Sequence, residues 1–546
     1  MIVLSPDGSA RLAAAEAFVD ALPAGAEVLV VGAGRQAVDD FARRVARPRR
    51  AVVGLHRFTL TQLAARLAAP ALSAAGLAPC PPLAAHAVAA RATFDALAAG
   101  AIPFFAPVAR TPGFSRTLAT TVGELREAHV APQTLAAASA PGDEVARLLT
   151  GYAAQLDSAQ LADRAALLST ATAAVTAAAP DGLIGLPLLL LDVSIASSAE
   201  ATLVAALRAA ASQSLATVAA GDERTLAAWR RLGAEAITEL SAQSQGSLGR
   251  LQTYLFVEAD PPPPGADDDA VRIFSAPGEG REAVEIARAA RVEAAAGTPF
   301  DEMIVALRAP EGYTALLESA FRRAGVPAYF ARGVRRPNPA GRAFLALLAC
   351  AAEDLSAARF AEYLSLAQVP RRVGGDVAPW SPPRDDMVGG SASSEEAAPP
   401  QEESAAETEA AIAAAAPWKW EALLTDAAVI GGAARWARRI DGLARELALR
   451  ADELAADDPE APRLNSLARQ RAQLDHLREF ALPVIERLAA LPPAATWGEW
   501  LERLRDLAAA TLQTPQPVLA VLAELAPMSA VGPAGLDEVR DVLAER

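Results

Sequence analysis

Three short stretches place residues able to do chemistry at the ends of apolar runs. In SPDGSARL, Gly8, Ser9 and Arg11 stand between a strand expected over Ile2 to Leu4 and a helix running through Val19. A phosphate-cradling turn occupies that position in nucleotide-binding folds, with the form GxxxxGK[ST]; its lysine neutralises the β/γ-phosphates and its hydroxyl holds magnesium. Here Ala10, Arg11 and Leu12 follow Gly8 and Ser9, and the planar fork of an arginine does not replace a compact ammonium in such a cradle. LLLLDV ends an apolar run on Asp192, as a magnesium-binding carboxylate would. AAGDERTLAAW sets Gly221 and Asp222 at the start of a helix, with Thr225 one turn in. The competing reading of both aspartates is that they cap helices.

A rival motif lies in VLVVGAGRQA, where Gly32, Gly34 and Ala37 fit the dinucleotide fingerprint G-x-G-x-x-A after a strand. The strand after such a fingerprint should end on an acidic residue for a ribose, or on arginine for a 2′-phosphate. AVVGLHR ends on His56 and Arg57, which leaves only an NADP-dependent oxidoreductase as the alternative function.

Counting removes other chemistry. The only lysine of the 546 residues is Lys419, in PWKW, which follows neither a strand nor a glycine-rich turn. No P-loop ATP hydrolysis is expected from this chain. Two cysteines, Cys80 and Cys350, make neither a disulfide framework nor a metal knuckle, so a reduced, cytoplasmic setting is expected. No stretch reads as a signal peptide or a membrane-spanning helix. The net charge of -15 argues against a simple basic coat for nucleic acid, although local basic tracks remain compatible with it. Arginines crowd at Arg43, Arg44, Arg47, Arg49 and Arg50, at Arg322, Arg323, Arg332, Arg335 and Arg336, and at Arg371 with Arg372; each cluster also reads as a solvated face.

The elements that must position these residues read as strand-helix pairs. Strands are expected at Ile2 to Leu4, Val28 to Val31, Ala51 to Val53, Leu186 to Val193 and Leu215 to Val218, and helices from Gln36 to Val45 and from Thr59 or Thr61. Such alternation implies a parallel sheet covered by helices. Residues 1–66 with 186–260 form the first such domain, and 67–185 an alanine-rich helical insertion. After the proline-rich linker at 261–265, residues 261–350 open a second α/β domain; 351–546 are helical, with a disordered acidic loop at 381–417. The helix in GLDEVRDVLAER has no C-terminal cap or breaker, so the natural chain is expected to continue past Arg546.

The second α/β block, Val271 to Gly333, reads as strand, turn, helix, strand, turn, helix, strand. Its first helix groups Ala283, Ile286, Ala287 and Ala290, its second groups Leu317, Ala320, Phe321 and Ala324, and MIVALR between them is an apolar strand. This block resembles the second motor-like domain in the B subunit of AddAB/RexAB-type ATP-dependent helicase/deoxyribonucleases, with its "IVxxR…Y…L…A…R…GVPxYF" run. GRAFLALLACAAEDLSAARFAEYLSLAQVP is similar to the same family, and the order of SPDGSARL, LLLLDV and GDERT matches its motifs.

The resemblance implies two RecA-like, superfamily 1 helicase-like domains, each with a helical insertion, and the N-terminal portion of a longer protein. It puts Gly8, Ser9, Arg11, Asp192, Asp222 and Arg281 at positions of a degenerate nucleotide site. Motor helicases carry a second acidic residue after the Asp192 position, where Val193 and Ser194 stand here. Arg281 has Glu279 and Glu282 beside it, which oppose an anion and favour an interdomain salt bridge. The DNA-tracking motif falls on Arg35, His56, Arg57, Phe58, Thr59 and Thr61, which offer charge, a stacking ring and hydroxyls. The family's PD-(D/E)XK nuclease needs a lysine beside its metal carboxylates and in some members a four-cysteine iron-sulfur staple, and this sequence has neither. The resemblance therefore implies a non-motor scaffold, without ATP, magnesium or another cofactor of its own. Its partners would be single-stranded DNA, duplex ends and an A-type helicase-nuclease subunit, with no membrane, in double-strand break repair by end resection.

Overall fold

The computed structural model describes the chain apart from residues 24, 48–52, 180, 234–235, 242–245, 256–261, 263–264, 266–267, 332–337, 371–418, 460 and 545–546. The expected acidic loop at 381–417, most of the proline-rich linker, and Arg49, Arg50, Arg332, Arg335, Arg336, Arg371 and Arg372 lie outside the described residues. The chain divides into two compact units. One comprises Met1–Cys80, Thr120–Asp143 and Leu156–Arg336, the other Pro81–Ala119, Glu144–Gln155 and Pro337–Arg546. The helical insertion is thus shared between the units, and the block at 271–333 belongs with the first.

The first unit is built on a six-stranded, all-parallel sheet. Its strands are β1 (Ile2–Ser5), β2 (Val28–Gly32), β3 (Leu55–Thr59), β4 (Leu188–Leu191), β5 (Ser214–Ala219) and β6 (Ile237–Glu239), in the order β3-β2-β4-β5-β1-β6. Because both faces of a parallel sheet are covered, its central strands are continuously apolar. VLVV in β2 and LLLL in β4 are accordingly buried throughout. Alternate residues feed two cores. Leu29, Val31, Leu188 and Leu190 pack under α3 (Leu60–Ala74), α4 (Arg164–Thr176), α5 (Ser198–Ala210) and Trp229 of α6 (Glu223–Arg231). Val28, Val30, Leu189 and Leu215 pack under α1 (Gly8–Asp20) and α2 (Arg35–Ala46), which supply Ala15, Val38, Phe41 and Val45. The fold of this unit is therefore α/β with a parallel sheet between helix layers.

Two strands depart from the sequence expectation. Ala51 and Val52 of the strand expected at Ala51 to Val53 lie outside the described residues; the described strand is LHRFT, which pairs in register with β2 from Val28↔Leu55 to Gly32↔Thr59. It is an edge strand, so it tolerates the polar His56 and Arg57 that obscured it. The three-residue β6 was not expected at all.

The block at 271–333 departs further. Its helices form as expected: α7 (Glu279–Ala295) and α8 (Pro310–Ala324) bury Ala283, Ala287, Leu317, Ala320 and Phe321 against each other. Its three expected strands do not: residues 272–276, 303–307 and 326–330 join no ladder among the described residues, so no second parallel sheet forms there. Ile273 is 97% and Ile304 92% exposed. Apolar runs report a tendency to be buried, whereas a strand needs a neighbour to take its backbone hydrogen bonds.

Among its described residues the second unit is helical, with one antiparallel pairing of Ala494–Ala495 with Ala534–Gly535. Its principal helices are α9 (Pro339–Ala352), α10 (Ala357–Ser365), α11 (Ala433–Asp457), α12 (Pro462–Ala489) and α13 (Trp497–Thr511). Their apolar faces meet around Phe360, Tyr363, Trp436, Trp497 and Trp500, all at most 0% exposed. The polar atoms of three of these rings find backbone partners, while Trp497 Nε1 is buried without one among the described residues. Trp436 Nε1 donates to the Leu355 carbonyl at 2.8 Å, Trp500 Nε1 to Ala534 at 3.0 Å, and the Tyr363 hydroxyl to Thr511 at 2.5 Å. Burial raises the Tyr363 phenol well above its ordinary range. Among the described residues, no helix is long and apolar enough to cross a membrane.

Candidate functional site

All six strands are parallel, so the helices that follow them start at one edge of the sheet, where ligands bind in open α/β folds. Only Pro6 and Asp7 separate β1 from α1. Asp7 is the N-cap, accepting from Ser9 N at 2.8 Å, and is 2% exposed. A carboxylate there complements the partial positive charge of the helix N-terminus. Gly8 and Ser9 fall inside the first helical turn and do not arch around a ligand.

Arg11, one turn into α1, reaches back across this turn. Its Nε lies 2.9 Å from Asp192 Oδ1 and its Nη2 3.1 Å from Asp192 Oδ2, while Nη1 donates to the Ser5 carbonyl at 2.6 Å. Asp192 follows β4 directly, in a left-handed conformation with φ 50°. Thr217 of β5 fixes it there: the hydroxyl accepts from Asp192 N at 3.0 Å and donates to Asp192 Oδ1 at 2.7 Å. Thr217 is 1% exposed, and the Arg11 side chain is 11% exposed. A Cβ placed on Gly8 would sit 3.8 Å from Arg11 Nη2, so the guanidinium covers the turn itself.

These residues do not fit a nucleotide triphosphate with magnesium. The turn is too short to wrap phosphate, and the Asp7 side chain already takes the Ser9 N–H at the helix N-terminus, where a phosphate would need to bind. The Asp192 carboxylate is already committed to Arg11 and Thr217.

The remaining residues of the expected nucleotide set take other partners than Arg11 and Asp192, although the turn before Asp222 adjoins the cluster through the bond from Ala220 N to the Ser5 carbonyl at 3.0 Å. Asp222 caps α6 by accepting from Thr225 N at 3.0 Å, while the Thr225 hydroxyl accepts from Ile195 N at 3.0 Å. The capping reading therefore holds for Asp222. It does not hold for Asp192, because the cap of α5 is Ser197, in a reciprocal box with Glu200. Arg281 pairs with Glu285 of its own helix at 2.7 Å, not with another domain.

The expected DNA set gathers on edge strand β3 and the start of α2. Arg35 Nε and Arg57 Nη1 share Asp39, at 3.1 and 2.9 Å. His56 Nε2 lies 2.9 Å from Glu27. Phe58 is half-buried against the α3 side, with the Arg66 guanidinium 5.9 Å from its ring centre. Thr59 is spent on a capping box with Gln62, and the exposed Thr61 hydroxyl lies 3.5 Å from Arg164 Nη2. These charges are largely compensated in place. In the nearby basic cluster Arg43 pairs with Asp40, Arg44 with Glu16 and Arg47 with Asp301, matching its reading as a solvated face. Four strand spacings, about 19 Å, separate β3 from β1, whereas Arg35 follows β2, the neighbour of β4 on which Asp192 stands, so the two sets border each other along one edge.

The fingerprint at Gly32, Gly34 and Ala37 sits at the β2–α2 turn. A Cβ at Gly32 would come 2.5 Å from Val38 Cγ1, so this glycine serves helix-strand packing. The Ala33 N–H donates to the Leu191 carbonyl at 3.1 Å and is not turned to a pyrophosphate.

Sequence reading missed an ionic network. Arg164 joins Glu200 at 2.6 Å and Glu127, tying the cap of α5 to helix Pro112–Glu127. Burial raises the Glu127 carboxyl; the neighbouring Arg164 opposes this and Glu200 adds to it. Only the three-dimensional fold brings these residues together. Among the described residues, no cluster of His, Cys, Asp or Glu could hold a metal ion. No family model matches the chain, and no curated protein matches it.

Proposed function

We propose that this chain is a non-motor, helicase-like scaffold that binds DNA at double-strand breaks and works beside a separate A-type helicase-nuclease subunit in end resection, as an AddB/RexB-like B subunit would. One observation carries the reading. At the β1–α1 turn, where a motor would hold its nucleotide, Arg11 and Asp192 hold each other at 2.9 Å. An α/β architecture with that position filled from within suits a protein that keeps a motor's shape without its cycle. The lysine count supports the same conclusion, since Lys419 lies in the helical unit. A cytoplasmic location and RecA-like ancestry of the sheet belong to this reading.

The test is binding of a fluorescent single-stranded oligonucleotide across a salt series, together with phosphate release from ATP. DNA binding that weakens with salt, without turnover, supports the scaffold. Tight NADPH binding with no DNA affinity would instead favour an oxidoreductase, although the Ala33 and Gly32 geometry speaks against that ligand.

A further inference from the structure

In α11 the charges run against the helix. Its first half carries Arg435, Arg438, Arg439 and Arg445 with one acid, Asp441; its second half carries Glu446, Asp452, Glu453 and Asp457 with one base, Arg450. A helix dipole favours acids at the N-terminus and bases at the C-terminus, by about 0.3–1 kcal/mol for each well-placed charge. Here the arrangement is reversed, and the helix starts on Gly432 without a side-chain cap. Local stability does not account for such a pattern.

Pairing does not account for it either. Asp441 turns to Arg478 of α12 at 3.2 Å, and Arg450 pairs with Glu446. Arg435, Arg438, Arg439 and Arg445 are exposed and make no ion pair or side-chain hydrogen bond among the described residues. Arg322 and Arg323, exposed at the end of α8, sit where the helix dipole favours them. The α11 arginines have neither explanation.

Helical spacing sets Arg438 and Arg445 opposite the buried Trp436, Ile440, Leu443 and Leu447, with Arg435 and Arg439 on one flank of that exposed face. Arg435 to Arg445 spans about 15 Å along the axis, roughly four phosphates of one DNA strand. Guanidinium groups suit phosphate through their fork of donors. We infer that this exposed stripe of α11 is a contact for the sugar-phosphate backbone of DNA, engaged through phosphate charge and not through base sequence. The inference deepens the scaffold reading and rests on it. It places four exposed arginines, without an ion pair among the described residues, on the helical unit, in a chain of net charge -15.

The experiment compares the full chain with R435Q/R438Q/R439Q/R445Q, using anisotropy of a labelled single-stranded oligonucleotide from about 50 to 200 mM salt. Loss of four phosphate contacts should flatten the log–log salt slope by about 3 and weaken binding on the order of 100-fold near 0.15 M salt. Thermal unfolding provides the second readout. Because the four side chains are exposed and Arg435, in the first turn, opposes the dipole, the variant should melt at or slightly above the wild-type temperature; a lower melting temperature would mark the arginines as structural and overturn the inference. Wild-type binding with an unchanged variant slope overturns this inference alone, whereas a wild type that binds no DNA removes the scaffold reading with it. If the substitutions abolish binding of a polyglutamate peptide and leave DNA binding intact, the stripe serves an acidic protein and the DNA assignment is wrong.

Discussion

Arg11 and Asp192, 181 positions apart in sequence, form a two-point ion pair with Nε–Oδ1 at 2.9 Å and Nη2–Oδ2 at 3.1 Å. Between their strands runs β5, whose Thr217 hydroxyl holds the same carboxylate. The pair closes the sheet edge at the β1–α1 turn, and a charge-assisted fork of this kind is stronger than a neutral hydrogen bond. Arg11→Met and Asp192→Asn should each destabilise the first unit by about 1.5–3 kcal/mol, and the double variant should cost less than their sum. Urea unfolding of the four proteins measures the coupling; strictly additive costs would mean that the two side chains do not support each other.

Thr217→Val keeps the shape of the side chain and removes both hydrogen bonds to Asp192. Because Asp192 N then loses a partner inside the fold, the loss should be about 1–3 kcal/mol, with Arg11 still in place. Circular dichroism during urea unfolding reads this, and a neutral result would show that Thr217 only fills space.

Arg35 and Arg57 share one acid, so neither is a free cation. Arg57→Gln should leave Arg35 with Asp39 and change single-strand affinity by less than about threefold, as for exposed compensated pairs. A loss as large as that expected for the α11 variant would return the main DNA contact to β3.

Cys350 is 0% exposed, and burial pushes its thiol from 9.0 up to about 12. The native protein at pH 8 should therefore yield at most one equivalent with a thiol reagent, from Cys80, and two after denaturation. The raised value also fixes a sign. The folded state keeps a proton that the unfolded state loses, so this contribution is fully present below pH 9 and is lost as pH rises toward about 12. Immediate reaction of both thiols in the native state would contradict this packing.

Much of the sheet was legible because buried parallel strands are continuous apolar text, as in VLVV and LLLL. β3 at Leu55–Thr59 was not legible because an edge strand carries polar residues, and the block at 271–333 was over-read because apolar text does not say whether a ladder partner exists. At the site, Arg11 and Asp192 were each visible from their places at strand ends, but their pairing depends on strand order, which no local pattern reports. Thr217 gave no signal, since threonine is common in strands for its shape. The α11 stripe was missed because runs of adjacent arginines attract notice, while spacing of three, four and seven residues puts charges on one helix face.

Phosphate release from ATP with magnesium and single-stranded DNA present tests the central claim most directly. With Arg11 and Asp192 engaged with each other and Asp7 at the helix N-terminus, the full chain should release no phosphate above a protein-free control, while still binding the DNA. Turnover near that of ordinary motor helicases, abolished by Arg11→Met or Asp192→Asn, would contradict the account and make those residues catalytic.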